Sequence, residues 1–361
     1  MANMNVRTPR FYPDLINFFL NRGVAQDGSF DVTATGGSGD TATRGIQNGT
    51  EAELFDMKPL NKVDFDTTGD PNSQVLITLD LQGTYKKSYI AILNHNLSSA
   101  SGKIRIFAGD EASDITAVDG ANAETGDISW GSVTVTEVVN ADNRTADGDN
   151  KSFVIEPAAD GSTIFTFPES ALRYWAIQFE GGGSGAAKDE NWGGTDLFVG
   201  GIMIGEYYDM PHAPDLSVKR SIQFDGNDVL ESAGGQRFSN QNYYGRQVSS
   251  TTLSPFATNQ YARNLYGGRI VYDMNFSYLN STDVMPTEYH THNVTDDSVV
   301  DDIWNKTGGS HIPFIFSCDK DSEGDNAESE HIFARFGQNS LDMTQVANDV
   351  WNIKMRIEEE F

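Results

Sequence analysis

The chain has 361 residues, a formal charge of −27 and 11% aromatic residues, so it exceeds one typical domain and is no wholesale disordered segment. The charge excludes nucleic-acid phosphates and anionic membrane surfaces as partners, because both would be repelled. Cys318 is the single cysteine, which excludes an intrachain disulfide framework.

In chain order, a polar arm leads into PDLINFFLNR (13–22). Pro13 suits a first helical turn, Asp14 favours the dipole there and Gly23 suits a stop, so a short amphipathic helix is predicted. The apolar cluster Phe18–Leu20 is too short for a cleavable signal, and no run approaches a membrane span. Folding in a reducing cytoplasm is the expectation. Residues 24–50 are polar and Gly-rich and read as a loop or extended arm.

From Ala52 to about Met210 the pattern is strand-like. Three apolar runs, Val75–Leu81, Tyr89–Leu93 and Ile104–Ala108, are separated by polar turns. Val75, Ile77, Leu79 and Leu81 alternate with polar or small neighbours, which predicts one buried face and one wet face. YIAIL is apolar on both faces and should lie centrally. GSVTVTEVV (131–139), STIFTF (162–167), ALRYWAIQFEG (171–181) and LFVGGIMIGEYY (197–208) continue the series. Trp175, Ile177 and Phe179 share one face; Tyr174, Ala176 and Gln178 share the other.

Met210–Pro214, with two prolines, marks a boundary. Beyond it, VKRSIQF (218–224) and GRIVYDMNFSYL (268–279) read as strands, and HIPFIFSCDKD (311–321) with HIFARFGQ (331–338) as a hairpin with an acidic loop. In the last strand Trp351, Ile353, Met355 and Ile357 form the buried set.

Each candidate chemical site also has a plain structural role. DKDSEGDNAESE (319–330) places Asp319, Asp321, Asp325, Gly324 and Glu330 at calcium-loop spacing. Asn326 where an apolar residue belongs, the bulky Glu323 and strand-like flanks favour a solvated hairpin tip. His290 and His292 could share a strand face as zinc ligands, but no cysteine lies near them. His95 beside the central strand reads as satisfying backbone groups rather than as a base. Gly181–Gly185 is a loop between strands and not a phosphate cradle. No GxSxG elbow and no P-loop occur. Trp130 and Trp192 lie in loops where a ring could stack on a sugar, or else pack at a sandwich edge or a subunit contact.

The order AILNHNL, RYWAIQFEG, VGGIMIGEYYDMP resembles the discoidin, or galactose-binding-like, β-sandwich, and versions of it in tailed-phage virion proteins have a similar ending. AGGxRF, GGRIxYxMxFSxL, PFIFSxD and a last Trp-containing strand ending in acids are similar to domains of distal-tail and related phage proteins. TPRFYPDLINFFLNRG resembles the opening of the same class. The resemblance implies a mainly β chain with an N-terminal arm (1–51), a discoidin-like sandwich (52–211) and a second β-sandwich or barrel-like tail domain (212–361) on which the arm packs. It implies a structural virion component of the tail or distal tip, made in the host cytoplasm. Its partners would be further copies of itself in a ring and other tail proteins, with no cofactor, no metal, no catalysis and no nucleic acid. The alternatives are a receptor- or glycan-binding module using Trp130 or Trp192, and a capsid decoration or head–tail connector component. A polysaccharide-degrading enzyme ranks third.

Overall fold

The computed structural model describes residues 6–34, 42–70, 72–83, 85–116, 127–148, 150–182, 191–223, 228–240, 269–287, 297–322 and 327–360. The fold is mainly β, with a β-sandwich and further antiparallel sheet. One sandwich sheet has six strands in the order Phe30–Thr33, Gln74–Asp80, Tyr174–Gly181, Gly102–Gly109, Phe153–Ile155, Thr145–Ala146. The other has four, in the order Gly201–Gly205, Lys87–His95, Gly161–Ser170, Thr136–Val139. Val75, Ile77, Leu79, Ile104, Ile106, Trp175, Ile177 and Phe179 of the first meet Ile90, Ile92, Phe165, Phe167, Ile202 and Ile204 of the second in one buried cluster.

The strand Lys87–His95 is apolar on both faces for a reason the sequence pattern anticipates. Its odd-numbered residues Tyr89, Ala91 and Leu93 point away from that cluster and pack with Tyr12, Ile315 and Phe333 of a third sheet. That sheet has eight strands, running Tyr208–Asp209, Arg10–Pro13, Phe314–Ser317, His331–Phe336, Val350–Glu359, Arg269–Asn280, Lys219–Gln223, with Met343–Ala347 paired to Val350–Glu359. It is open and does not close as a barrel. Its far face carries Phe11, Phe314, Phe316, Phe336, Met274 and Met355 under the π-helical segment Val299–Asn305, which contributes Val299 and Ile303. The four-stranded sheet is thus the middle layer of three.

The N-terminal residues tie the layers together. Arg10–Pro13 is a strand hydrogen-bonded between Tyr208–Asp209 and Phe314–Ser317. Arg10 pairs with Asp209 at 2.5 and 2.9 Å, and the buried Tyr89 hydroxyl donates to the Pro13 carbonyl at 2.8 Å. Pro13 ends this strand instead of opening the helix. Asp14 is the N-cap, accepting from the Asn17 N–H at 2.8 Å, and the helix Leu15–Leu20 drives Leu15, Ile16 and Phe19 into the sandwich core. Gly205 permits the close approach, since a Cβ there would lie 2.5 Å from the Pro13 carbonyl oxygen.

Two readings are corrected. Within 24–50, FDVT forms a strand on Gln74–Asp80 with Phe30 and Val32 buried, and Ile46–Asn48 pairs with Val63–Phe65. LFVGGIMIGEYY is broken into three strands belonging to three different sheets, so the passage to the C-terminal sheet falls between Gly205 and Tyr208, ahead of the prolines.

Candidate functional site

Neither tryptophan singled out as a sugar platform presents its ring to solvent. Trp130 is 1% exposed and packs on Phe153 and Phe167, with centroids 5.6 and 6.0 Å away. Trp192 is 5% exposed, and its indole N–H donates to the Ser73 carbonyl at 2.6 Å. Both plug the sandwich edge, where burying a large ring gains more than exposing it would. The stacking expectation is therefore corrected to a packing role.

His95 is buried. Its Nε2 lies 2.9 Å from the Thr163 hydroxyl and its Nδ1 accepts the Leu97 N–H at 3.3 Å. Burial lowers its pKa to about 4, so the ring is neutral and held structurally. Cys318 is buried, and burial pushes its thiol up to about 11, the opposite of a nucleophile's requirement. In the 319–330 loop, Asp319 is engaged by Arg7 at 3.1 Å and by the Asp321 N–H at 3.1 Å. Glu323, Gly324, Asp325 and Asn326 lie outside the described residues, as do His290, His292 and residues 183–185 of the glycine loop.

One acidic group that the sequence reading passed over is assembled by the fold. Asp110, Asp114 and Asp127 bring a carboxylate oxygen each within 4.8 Å of one another, beside the turn Ala112–Ile115. Hydrogen bonding and charge repulsion from Asp127 raise the pKa of Asp110. Such oxygens match the chemistry of a hard cation such as calcium. Their spread over the sequence, in a chain with 52 acids, hides them from any motif.

A groove of about 620 Å³ lies where four segments meet. The helix Leu15–Leu20 and its exit supply Leu15, Phe18, Phe19, Arg22 and Val24; the turn before the central strand supplies Gln82, Tyr85 and Lys86. Glu206 comes from the passage between sheets, and Asp301, Asn305 and Lys306 from the π-helical segment and the residue after it. Phe18, Phe19 and Tyr85 form an aromatic wall, with Phe19–Tyr85 edge-on at 4.9 Å and Phe18–Tyr85 at 6.3 Å. The Arg22 guanidinium lies 3.6 Å over the Phe18 ring and bridges the groove, donating to the Phe18 and Asn305 carbonyls at 3.2 and 3.1 Å.

The floor is ionic. Lys306 meets Asp302 at 2.8 Å and Glu206 at 3.3 Å, while Lys86 meets Glu169, Asp297 and Glu206 at 3.1, 3.5 and 3.8 Å. Burial raises the Glu206 pKa, and the two ammonium groups oppose that rise. Glu206 also lines an adjoining hollow of about 290 Å³ with Ser88, Phe167 and Tyr207.

A second surface feature concerns exposed apolar side chains. Among the described residues these are Leu216, Ile222, Val229, Leu230, Phe238, Tyr278, Met343 and Val346. All lie on the C-terminal sheet, its approaches, or the hairpin Asp228–Glu231/Arg237–Asn240; none lies on the sandwich.

No protein-family model matches the chain, and no curated protein matches it. Among solved structures the chain is similar to chitosan-binding module 1 of a chitosanase/glucanase from Paenibacillus sp. IK-5. The identity is 11% and the TM-score 0.26, over 49% of this chain and 93% of that one.

Proposed function

We propose that the chain is a structural subunit of a tailed-phage particle, built in repeated copies into the tail or its distal tip, with no catalytic step of its own. The observation that carries this reading is the one-sided distribution of exposed apolar groups. A two-stranded hairpin is marginal in water without a packing partner. Here Val229 is 63% exposed, Leu230 70% and Phe238 54%, and the hairpin joins no other sheet among the described residues. Beside it in sequence, the strand Lys219–Gln223 holds Ile222 at 60% exposure and has one hydrogen-bonded neighbour among the described residues. Apolar exposure of this kind favours burial between copies, and heterologous contacts of one patch with another generate a ring where the rotation between copies closes. The motif order shared with tail-associated virion proteins supplies the particle, by resemblance. The sandwich would face outward.

The test is solution mass by light scattering with negative-stain imaging, on the full chain and on a Leu230→Asp/Phe238→Asp variant. A closed ring of several copies that dissociates in the variant supports the proposal. A monomer at concentrations of about 100 μM, indistinguishable from the variant, overturns it.

A further inference from the structure

We infer that the groove between the helix Leu15–Leu20 and the π-helical segment Val299–Asn305 binds a neutral saccharide. The ligand class follows from what each part of the groove accepts. Its volume, about 620 Å³, lies within the range of small-ligand sites and holds a short oligosaccharide. Arg22 covers the Phe18 ring, and the half-buried Tyr85 ring beside it suits the aliphatic face of a pyranose. An entirely apolar ligand would cover the Lys86–Glu206–Lys306 floor without hydrogen-bonding to it, at a large desolvation cost.

Charge narrows the class further. The two lysines of the floor are each already matched by carboxylates, Lys86 by three and Lys306 by two. The Arg22 guanidinium donates to two backbone carbonyls. Arg22 keeps its charge, but around the groove the carboxylates of Glu206, Asp301, Asp302, Glu169 and Asp297 outnumber Lys86, Lys306 and Arg22, and the chain as a whole carries −27, so an anionic ligand is repelled. A bare metal ion is opposed by two ammonium groups on the floor. What fits is a neutral molecule with one apolar face and a rim of hydroxyls that donate to Glu206 and Asp301 and accept from Lys86, Lys306 and Gln82. The Gln82 side-chain amide and the Tyr85 hydroxyl make no hydrogen bond within the described residues, so both are available to such a rim. The groove is separate from Trp130 and Trp192, which are buried in the sandwich.

This inference does not rest on the assembly reading, and its readout is independent of oligomer size. The full chain is titrated by calorimetry and ligand-observed NMR with maltotriose, cellotriose, lactose and tri-N-acetylchitotriose, and with sialyllactose as the acidic counterpart of lactose. At least one neutral probe is expected to bind, with sialyllactose weaker than lactose. Tyr85→Ala is expected to weaken binding about tenfold, or about 1.4 kcal/mol. Tyr85→Phe retains the stacking face and keeps most of the affinity. Gln82→Asn, tolerated at the left-handed backbone of this position (φ +59°), weakens binding without touching the core. Thr33→Ala, in a separate hollow on the outer sandwich face, leaves it unchanged. The inference is overturned if none of the neutral probes gives a signal at about 10 mM, or if sialyllactose binds as well as lactose. Binding that persists in folded Tyr85→Ala and Gln82→Asn overturns it equally.

Discussion

Lys87 opens the central strand on the face turned toward the C-terminal sheet, two residues before Tyr89. It is fully buried, and its ammonium nitrogen has no hydrogen-bond partner among the described residues. Burial lowers its pKa from 10.5 to about 7. Between those values the unfolded chain keeps the proton and the folded chain sheds it, so stability rises with pH by about 1.4 kcal/mol per unit across that window. Below pH 7 the folded state bears the whole cost, roughly 4–5 kcal/mol. Lys87→Met keeps the length of the side chain and removes the charge. It should stabilise the protein by about 2–4 kcal/mol at pH 6.5, equivalent to roughly 3–5 °C in a chain of this length. The gain should shrink steadily as pH is raised toward 9.5. Paired urea and thermal unfolding of both proteins at pH 6.5, 8 and 9.5 isolates the effect from the background charge. A Lys87→Met protein that melts below the parent at pH 6.5, or a difference that does not change with pH, would refute the reasoning.

Two further perturbations address buried groups. His95 and His331 are both buried, and burial lowers each pKa from 6.5 to about 4. As pH falls through 6.5 toward 4, the unfolded chain takes up protons that the folded chain refuses, and each histidine withdraws up to about 3 kcal/mol. Asp14 works the other way: burial raises its pKa from 3.8 to about 6, so its contribution improves as pH falls through 6. His95→Gln should therefore remove that residue's share of the loss between pH 6.5 and 4, up to about 3 kcal/mol, read from urea midpoints. Glu180 is buried with Arg105 at 2.8 Å, and Arg105 also reaches Asp147 at 2.8 Å. Glu180→Gln leaves that guanidinium undercompensated and should cost about 3–5 kcal/mol in urea unfolding, with the fold retained by circular dichroism.

Much of the layering is legible in the sequence because it depends on alternation alone. YIAIL, apolar at successive positions, can only be satisfied between two cores, and it occupies the middle sheet. The last strand likewise buries Ile353, Met355 and Ile357 as its pattern dictates, although Trp351 remains half-buried. What the sequence hides depends on distant neighbours. Lys86 and Lys87 are adjacent and chemically identical, yet the strand's alternation sends one to a solvent-accessible ion cluster and the other into the core. Trp130 and Trp192 sit among polar residues and read as exposed, because the edges they plug are made by strands elsewhere in the chain. The groove has no signature at all, since Phe18, Tyr85, Glu206 and Lys306 meet only after three layers have stacked.

The strand Arg10–Pro13 also sets an order of events. Its partner Phe314–Ser317 lies about 300 residues away, and closing such a loop in an unstructured chain costs roughly 5 kcal/mol. The helix that follows the strand anchors in the sandwich core, so once the sandwich forms the strand is already beside Gly205 and can pair with Tyr208–Asp209. During synthesis this two-stranded ribbon would then wait for the residues after 209 to reach 317, about 5–20 s at ordinary elongation rates. Throughout that interval Phe11 and Tyr12 sit on an open template edge that accepts any passing strand. The same contact that locks the finished layers together makes the nascent chain most vulnerable to pairing with a neighbouring nascent copy.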